Sequence, residues 1–467
     1  MSAVERSHFR IRSFNGDSLT PISIFQSVEG SRKCLLESSL KHEETGRYSF
    51  IAVDPYCELI GTDHNIVIKN NLKNTIEKKQ GLPLDELKSL LKEANIEGPI
   101  DFPLPGGALG YIGYDAFRQY EEIGSIPEDD RNMPDVHLML YSNIIAYDHL
   151  KQKVTIVAMN PGQLSSDDEL EETLEHLKEQ ILQYTRVAPE FDQLSVLQYT
   201  SNLTKEEYCQ SVEIAKEHIR KGDIFQVVLS QRLSADFTGS AFSFYRKLRQ
   251  DNPSPYMFYI DFEDYIVLGS SPESLIKVEG DQVTTNPIAG TRKRGKTVQE
   301  DELLEKELLE DEKELAEHRM LVDLGRNDLG RVCEVGSVEL TKYMTIEKYQ
   351  HVMHIVSEVK GRLLKNITGI DALVSTLPAG TVSGAPKIRA MQIINDLETV
   401  KRGVYSGAVG YVGFNGDLDF ALAIRTMVIK DDKAYVQAGA GVVYDSVPEN
   451  EYEETLNKAR SLLEVTS

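Results

Sequence analysis

Two acidic pairs and a glycine-threonine turn are the residues of this chain best suited to chemistry. Glu314 and Glu317 stand at i,i+3 spacing, as do Glu451 and Glu454, with Lys458 one turn further on. Pro287-Ile-Ala289-Gly290-Thr291 adds a Gly-Thr turn and Gly439-Ala440-Gly441 a late run of small residues. Carboxylates from two helices are the oxygen donors that a hard ion such as Mg2+ takes, usually with retained water and only one or two direct protein ligands. Together these parts could hold a small dianionic acid against a metal ion, the four glutamates dividing into direct and water-mediated partners. Acidic helices are also common as solvated faces with internal ion pairs, here Glu454 to Lys458.

Three other positions carry chemical potential. Arg425 ends the apolar run Phe420-Ala-Leu-Ala-Ile. A buried arginine needs an anion, either an internal carboxylate or a ligand carboxylate taken bidentately. Gly380-Thr381-Val-Ser-Gly-Ala-Pro-Lys387 has the wrong spacing for a P-loop and no hydroxyl residue after Lys387. It reads as a loop feeding a helix N-terminus, a natural anion site. His354 shares a strand face with Val352 and Val356 within residues 351–359. A lone histidine in that setting is more often a satisfied core residue than a reagent.

The elements that must position these groups can be read coarsely. Residues 32–37 and 48–53 read as strands, and Pro83 suits the first turn of a helix beginning near residue 82. Residues 104–111 are a glycine-rich entry to a strand, residues 167–184 an acidic amphipathic helix, and residues 186–203 a linker. Thr204-x-x-Glu207 has capping-box spacing, Tyr208, Val212, Ala215 and Ile219 fall on one helical face, and Gly222 sits where a glycine would end that helix. Residues 224–232 and 405–412 read as strands and 311–320 as a helix. In the last helix Ser446-x-x-Glu449 predicts a second capping box, with Tyr452, Leu456, Ala459 and Leu463 as its apolar stripe. Strands and helices mix without regular βαβ alternation, which predicts an α+β fold with largely antiparallel sheets. The expected division is an N-terminal region over 1–190 and a second region over 200–467.

Composition narrows the class of protein. The chain has 467 residues, 41% of them hydrophobic, ample for a large core. Its formal net charge of -23 argues against a nucleic-acid binder, which needs clustered Lys and Arg. It does not exclude an anionic ligand, because local field matters more than net charge. Cys34, Cys57, Cys209 and Cys333 form no zinc spacing, and no signal peptide is visible, so a reducing, cytoplasmic setting is expected. No apolar run approaches the ~20 residues of a membrane span.

Long motifs then carry a family resemblance: Ser271-Pro-Glu-Ser, Pro287-Ile-Ala-Gly-Thr, residues 314–328, residues 378–387 and Gln437-Ala-Gly-Ala-Gly-Val. In this order they resemble the chorismate-utilising enzymes, most closely the anthranilate synthase branch, over nearly the whole chain and most strongly from 204 to 465. The resemblance implies a sandwich-like core of mostly antiparallel sheets flanked by helices. It implies Mg2+ held by Glu317 and Glu454, supported by Glu314 and Glu451. It implies substrate contacts from Gly290, Thr291, Gly439, Ala440, Gly441 and Lys458, with Tyr405 and Arg425 on the enolpyruvyl carboxylate. Glu273 matches a general acid, His354 an acid/base residue and Thr381 part of the same wall. The implied reaction joins chorismate and ammonia to give anthranilate and pyruvate. Ala289 stands where aminodeoxychorismate synthases usually carry lysine, and Gln226 where isochorismate and salicylate synthases carry a water-activating lysine. No amidotransferase nucleophile motif is present, so a separate glutamine amidotransferase subunit is implied as nitrogen source. The resemblance further implies feedback by L-tryptophan at Glu37, Ser38, Pro255, Tyr256 and Met257, although composition alone reads Tyr256 and Met257 as core. An aminodeoxychorismate synthase and a tryptophan sensor without catalysis are the alternatives.

Overall fold

A computed structural model describes residues 9–38, 46–94, 102–161, 166–183, 197–349 and 352–465. The start of the predicted helix at 82 is met by a helix over Pro83–Ala94, and the acidic helix by Asp167–Gln183. Most of the expected linker, residues 184–196, lies outside the described residues, as does His351.

Two twelve-stranded sheets form the centre of the molecule. The first runs from Phe9–Asn15 at one edge, through Cys34–Glu37, Tyr256–Asp261, Tyr265–Ser271, Thr426–Lys430 and Lys433–Val442, to Gln226–Asp236 and Thr200–Ser201. The second runs from Ile288–Lys293 and Val352–Arg362, through Ser274–Glu279, Leu418–Leu422, Ala408–Gly413 and Gly107–Ile112, to Thr75–Gln80. The ladders are antiparallel, so the α+β expectation holds. Each sheet takes strands from both ends of the sequence: Met257 pairs with Glu37 in the first, and Gly410 with Gly110 in the second.

The sheets face each other across a core that includes Cys34, Phe50, Phe258 and Val267 from one and Leu109, Tyr111, Met139 and Tyr411 from the other. Helices cover the outer faces. Asp167–Gln183, Ala241–Asp251 and Pro448–Leu463 bury apolar residues on the first sheet, and Pro83–Ala94, Glu312–Gly330 and Gly369–Thr376 on the second. The result is a helix–sheet–sheet–helix sandwich, which satisfies the hydrophobic side of every layer.

The chain passes between the sheets at two places that lie side by side. Ser271 ends a strand of the first sheet and Ser274 begins one of the second. Leu422 ends a strand of the second and Thr426 begins one of the first. The two crossings are bonded to each other: Leu422 N donates to Glu273 O at 3.0 Å, Ser271 Oγ to Leu422 O at 2.7 Å, and Ser270 N to Arg425 O at 3.1 Å. Glu273 and Arg425 are therefore the apical residues of neighbouring crossovers.

Local expectations fared unevenly. Thr204 and Glu207 form the reciprocal capping box of helix Lys205–Arg220, and Gly222 follows its end with φ +79°. The Ser446–Glu449 box does not form. Val447 is the N-cap, without a side-chain bond, and Ser446 Oγ turns back to accept from Val443 N at 2.9 Å. The predicted stripe of that last helix does pack inward, with Ala459 in the core and Tyr452, Leu456 and Leu463 partly buried against core residues, while Thr455 and Leu462 join it as fully buried residues. Thr455 escapes a hydrophobicity count because its hydroxyl is satisfied, accepting from Gln231 Nε2 at 2.6 Å. Tyr405 is not in a strand but in the turn before Ala408–Gly413. The predicted 311–320 helix is the first half of Glu312–Gly330.

Candidate active site

Strand pairing sets the first part of the site. In the ladder between Ile288–Lys293 and Val352–Arg362, Thr291 stands opposite His354, with a register shift at Gly290. Gly290 has φ +71°, a left-handed conformation that side chains resist, so the bulge needs glycine. The bulge turns the Gly290 carbonyl onto His354 Nδ1 at 3.0 Å, and Thr291 Oγ1 is 3.1 Å from the same nitrogen. A carbonyl only accepts, so Nδ1 carries the proton and Nε2 the lone pair. Burial lowers the basicity of His354, and Arg425 adds to the effect, while the Gly290 bond opposes it. The ring is therefore neutral near neutrality.

The crossovers supply the second part. Thr381 Oγ1 donates to Glu273 Oε1 at 2.8 Å. Burial pushes the Glu273 carboxyl up to about 7, against the lowering influence of Thr381, Lys458 and Arg425. Arg425, at φ +50°, is buried within electrostatic reach of Tyr405, Glu273 and His354. No carboxylate among the described residues forms an ion pair with it. This leaves the predicted arginine beside a polar wall without its anion, the ligand-facing alternative of the two the sequence allowed. Lys387 takes no such part, since its Nζ is bonded to Asp328 Oδ2 at 2.9 Å.

The third part is the strand Lys433–Val442 and the helix after it. Gly439 pairs with Ser230, Ala440 with Leu229 and Gly441 with Val228. A Cβ on Gly439 would sit 2.7 Å from Tyr405 Oη and 2.9 Å from Leu229 O, so only glycine lets the phenol reach this strand. Lys458 Nζ donates to Gly439 O at 3.1 Å and pairs with Glu454 at 2.8 Å.

The carboxylates of the two helices come within electrostatic reach of one another. Asp311 caps helix Glu312–Gly330 by accepting from Lys313 N and Glu314 N, and Arg292 ties Asp311 at 2.8 Å and Glu314 at 3.3 Å to the Gly290 strand. Burial raises Glu317, Glu314 and Glu454 raise it further, and Gln226 Nε2, 3.4 Å from Oε1, and Lys458 oppose. Burial also raises Glu451, with Glu454 adding to it against the Ser446 bond. Among the described residues no three acidic, imidazole or thiol groups already converge as a metal cage. The group nevertheless fits a hard divalent cation: its donors are carboxylate oxygens, and the cost of burial and, secondarily, the mutual repulsion that raise Glu317 and Glu451 are what such a charge relieves.

The residues matched to a regulatory site gather elsewhere, on the first sheet. Glu37 is buried and held by Tyr245 Oη at 2.7 Å and Arg249 Nε at 2.9 Å, while its Oε1 has no hydrogen-bond partner among the described residues. Burial raises its pKa despite Arg249. Met257 stands directly opposite it in the ladder. Tyr256, one residue earlier, faces the other side, where it interacts with Asp419 and Ser274. Ser38 and Pro255 flank these strands, half-buried. Sequence reasoning missed Arg402 and Glu398, which lie behind the wall formed by Thr381, Tyr405 and the 439–441 strand. Their only sequence signal was charge beside the apolar segment that leads into Tyr405.

Fold and site together define a chorismate-binding protein, and the chain matches the chorismate binding enzyme family over residues 32–464. It belongs to that family. It is 47% identical to anthranilate synthase component 1 of Lactococcus lactis over 98% of this chain and 99% of that protein. It is 48% identical to anthranilate synthase component 1 of Acetivibrio thermocellus over 96% and 92%. The crystal structure of anthranilate synthase component I from Streptococcus pneumoniae superposes with a TM-score of 0.83 at 45% identity, covering 96% of this chain and 98% of that one. No helix of the described residues is long and apolar enough to cross a membrane.

Proposed function

We propose that this chain is the chorismate-aminating component of an anthranilate synthase, converting chorismate and ammonia to anthranilate, pyruvate and water. Near-full-length identity to enzymes of that name supports the reading. The observation that selects amination at C2 is the pair Ala289 and Gln226: alanine cannot be the covalent nucleophile that a lysine supplies there, which favours direct attack at C2, and glutamine cannot be the water-activating base, which favours amination over hydroxylation.

Chorismate is a dianion. Arg425 and Tyr405 take its enolpyruvyl carboxylate, and the ring carboxylate lies toward the 439–441 amides, Lys458 and the glutamate cluster. Glu317 and Glu454, with Glu314 and Glu451 around them, would hold Mg2+, which when bound supplies positive charge to that carboxylate. Gly290 and Thr291 line the site beside Glu314. Hydroxide leaves poorly, so the C4 oxygen needs a proton as its bond breaks. Glu273, held up to about 7, keeps a proton to give near neutrality. Ammonia forms the C2–N bond as the C4–O bond breaks, and C4 oxygen departs as water. The C2 proton is then removed, with the Nε2 lone pair of His354 as acceptor, and the C3–O bond breaks to release pyruvate and leave an aromatic ring.

Ammonia comes from solution or from a separate glutamine amidotransferase subunit. L-Tryptophan binds at Glu37, Ser38, Pro255, Tyr256 and Met257 as a feedback inhibitor, Tyr256 contributing through its backbone because its side chain faces the other side, and the Glu37 oxygen without a partner among the described residues suits its ammonium. Residues 1–190 form a regulatory and substrate-supporting region, which shares its tryptophan site with Pro255, Tyr256 and Met257, and residues 200–467 form the chorismate-binding catalytic region. The protein works in the cytoplasm.

The test is fluorescence of the purified chain with chorismate, Mg2+ and an ammonium salt, with product identification. Anthranilate formation, suppressed by tryptophan, is the expected result. An aminated, non-aromatic product that keeps its enolpyruvyl group would reassign the chain to aminodeoxychorismate synthesis. Tryptophan binding without turnover would make it a sensor.

A further inference from the structure

Arg402 is the largest fully buried side chain among the described residues, 2% exposed. A guanidinium has five N–H donors, and here every one has an acceptor. Nε and Nη2 fork onto Glu398 at 2.8 and 2.6 Å. Nη2 also donates to Val228 O at 2.8 Å, and Nη1 to Val382 O at 2.8 Å and Ser406 Oγ at 3.3 Å. The group lies over the rings of Tyr114 and Tyr405, 4.7 and 5.6 Å from their centroids. Glu398 accepts in turn from Ser230 N and Ser230 Oγ, both at 2.9 Å.

Each of these contacts adjoins a residue of the wall. Val382 follows Thr381, and Ser406 follows Tyr405. Val228 and Ser230 stand opposite Gly441 and Gly439. The wall is thus assembled from separate segments, a short loop, a turn and two strands, and no single element sets their spacing. From this geometry we infer that Arg402, clamped by Glu398, is a positioning residue for the reaction: from behind, it sets Thr381 and its Glu273 partner, Tyr405, and the 439–441 strand relative to one another. The inference rests on the proposed chorismate chemistry. A role in geometry also accounts for the pair's presence, since a buried ion pair is weak support for stability compared with apolar packing of similar volume. Lysine cannot replace it, because a point charge has no planar fork.

The test compares Arg402→Lys with wild type in ammonia-dependent turnover of the whole chain, normalised to folded protein. A small displacement of reacting groups costs about 100-fold, so kcat should fall on that order, with a smaller change in the chorismate KM. The pH limb belonging to Glu273 should move upward, because Thr381 no longer steadies its carboxylate. Arg232→Lys is the control. It alters another buried arginine, paired with Asp130, and should lower the unfolding temperature while leaving kcat and the pH profile at wild-type values. If Arg402→Lys does not fold, Glu398→Gln, which keeps shape but weakens the fork, should show the same changes at smaller size. Wild-type kcat and an unmoved limb in a folded variant of either kind would overturn the inference. Absence of turnover in the wild-type chain would instead remove the chorismate reading beneath it.

Discussion

Glu273 illustrates how burial turns an ordinary carboxyl into an acid usable near neutrality. Its proton is worth keeping only at the cost of stability. Its folded pKa of about 7 lies above the ordinary 4.5, so between those values the folded chain binds more protons than the unfolded one, and stability declines as pH rises through that window. Glu273→Gln should therefore unfold at a higher temperature than wild type above pH 7, while kcat drops by roughly 10²–10⁴-fold, the usual contribution of a general acid. At fixed free ammonia, wild-type turnover should decline with rising pH along a limb at or above about 7, because dianionic chorismate pushes the acid in the same direction. The glutamine variant should lack that limb. Gly439→Ala addresses geometry instead of proton transfer. Its Cβ meets Tyr405 Oη at 2.7 Å, and a displaced phenol should raise the chorismate KM by about tenfold or more, read in steady-state kinetics.

At the scale of elements, helix ends decide whether the carboxylates meet their target. Asp311 holds the first turn of Glu312–Gly330, the turn that carries Glu314 and leads to Glu317. Asp311→Ala should cost about 1 kcal/mol of stability, the usual value of an N-cap, and should also raise the Mg2+ concentration for half-maximal turnover. Thr204→Ala removes an equally regular cap, that of Lys205–Arg220, on a helix that bears no site residue. It should cost a similar amount in chemical denaturation with no change in Mg2+ dependence. The contrast separates loss of a helix end from loss of a ligand. Thr204–Glu207 was legible because a capping box is local chemistry. Ser446–Glu449 had the same spacing and failed, because Ser446 found a bond within its own turn, to Val443 N.

The whole molecule is closed by strands far apart in sequence. Cys34–Glu37 lies beside Tyr256–Asp261, and Gly107–Ile112 beside Ala408–Gly413. Fragments 1–190 and 200–467, produced separately, should each lack a cooperative thermal transition and should regain one when coexpressed, as sheets with missing neighbours expose apolar faces and unpaired edges. The Glu37 site and the Glu273 site share the first sheet and its crossover but no residues, so tryptophan feedback through them would be a coupling between distinct sites. Glu37→Gln should raise the tryptophan concentration for half-inhibition by about tenfold or more, the worth of one charge-assisted hydrogen bond, with turnover unaltered in its absence.

From the sequence alone, periodicity and caps determined several helices and a few strands, the absence of βαβ alternation determined the α+β class, and motif order determined the family. Those features are local, or are patterns of residue type, and need no knowledge of which strand neighbours which. Tertiary structure decided that Glu273 and Arg425, 152 positions apart, sit on bonded crossovers between the sheets. It also decided that Tyr405 stands in a turn, that Arg425 has no carboxylate ion-pair partner among the described residues, and that Arg402 joins the segments of Val228, Val382 and Ser406 behind the wall. Strand order and the burial of single charges are set by long-range packing of two sheets against each other, a property of the assembled molecule that no window of the chain contains.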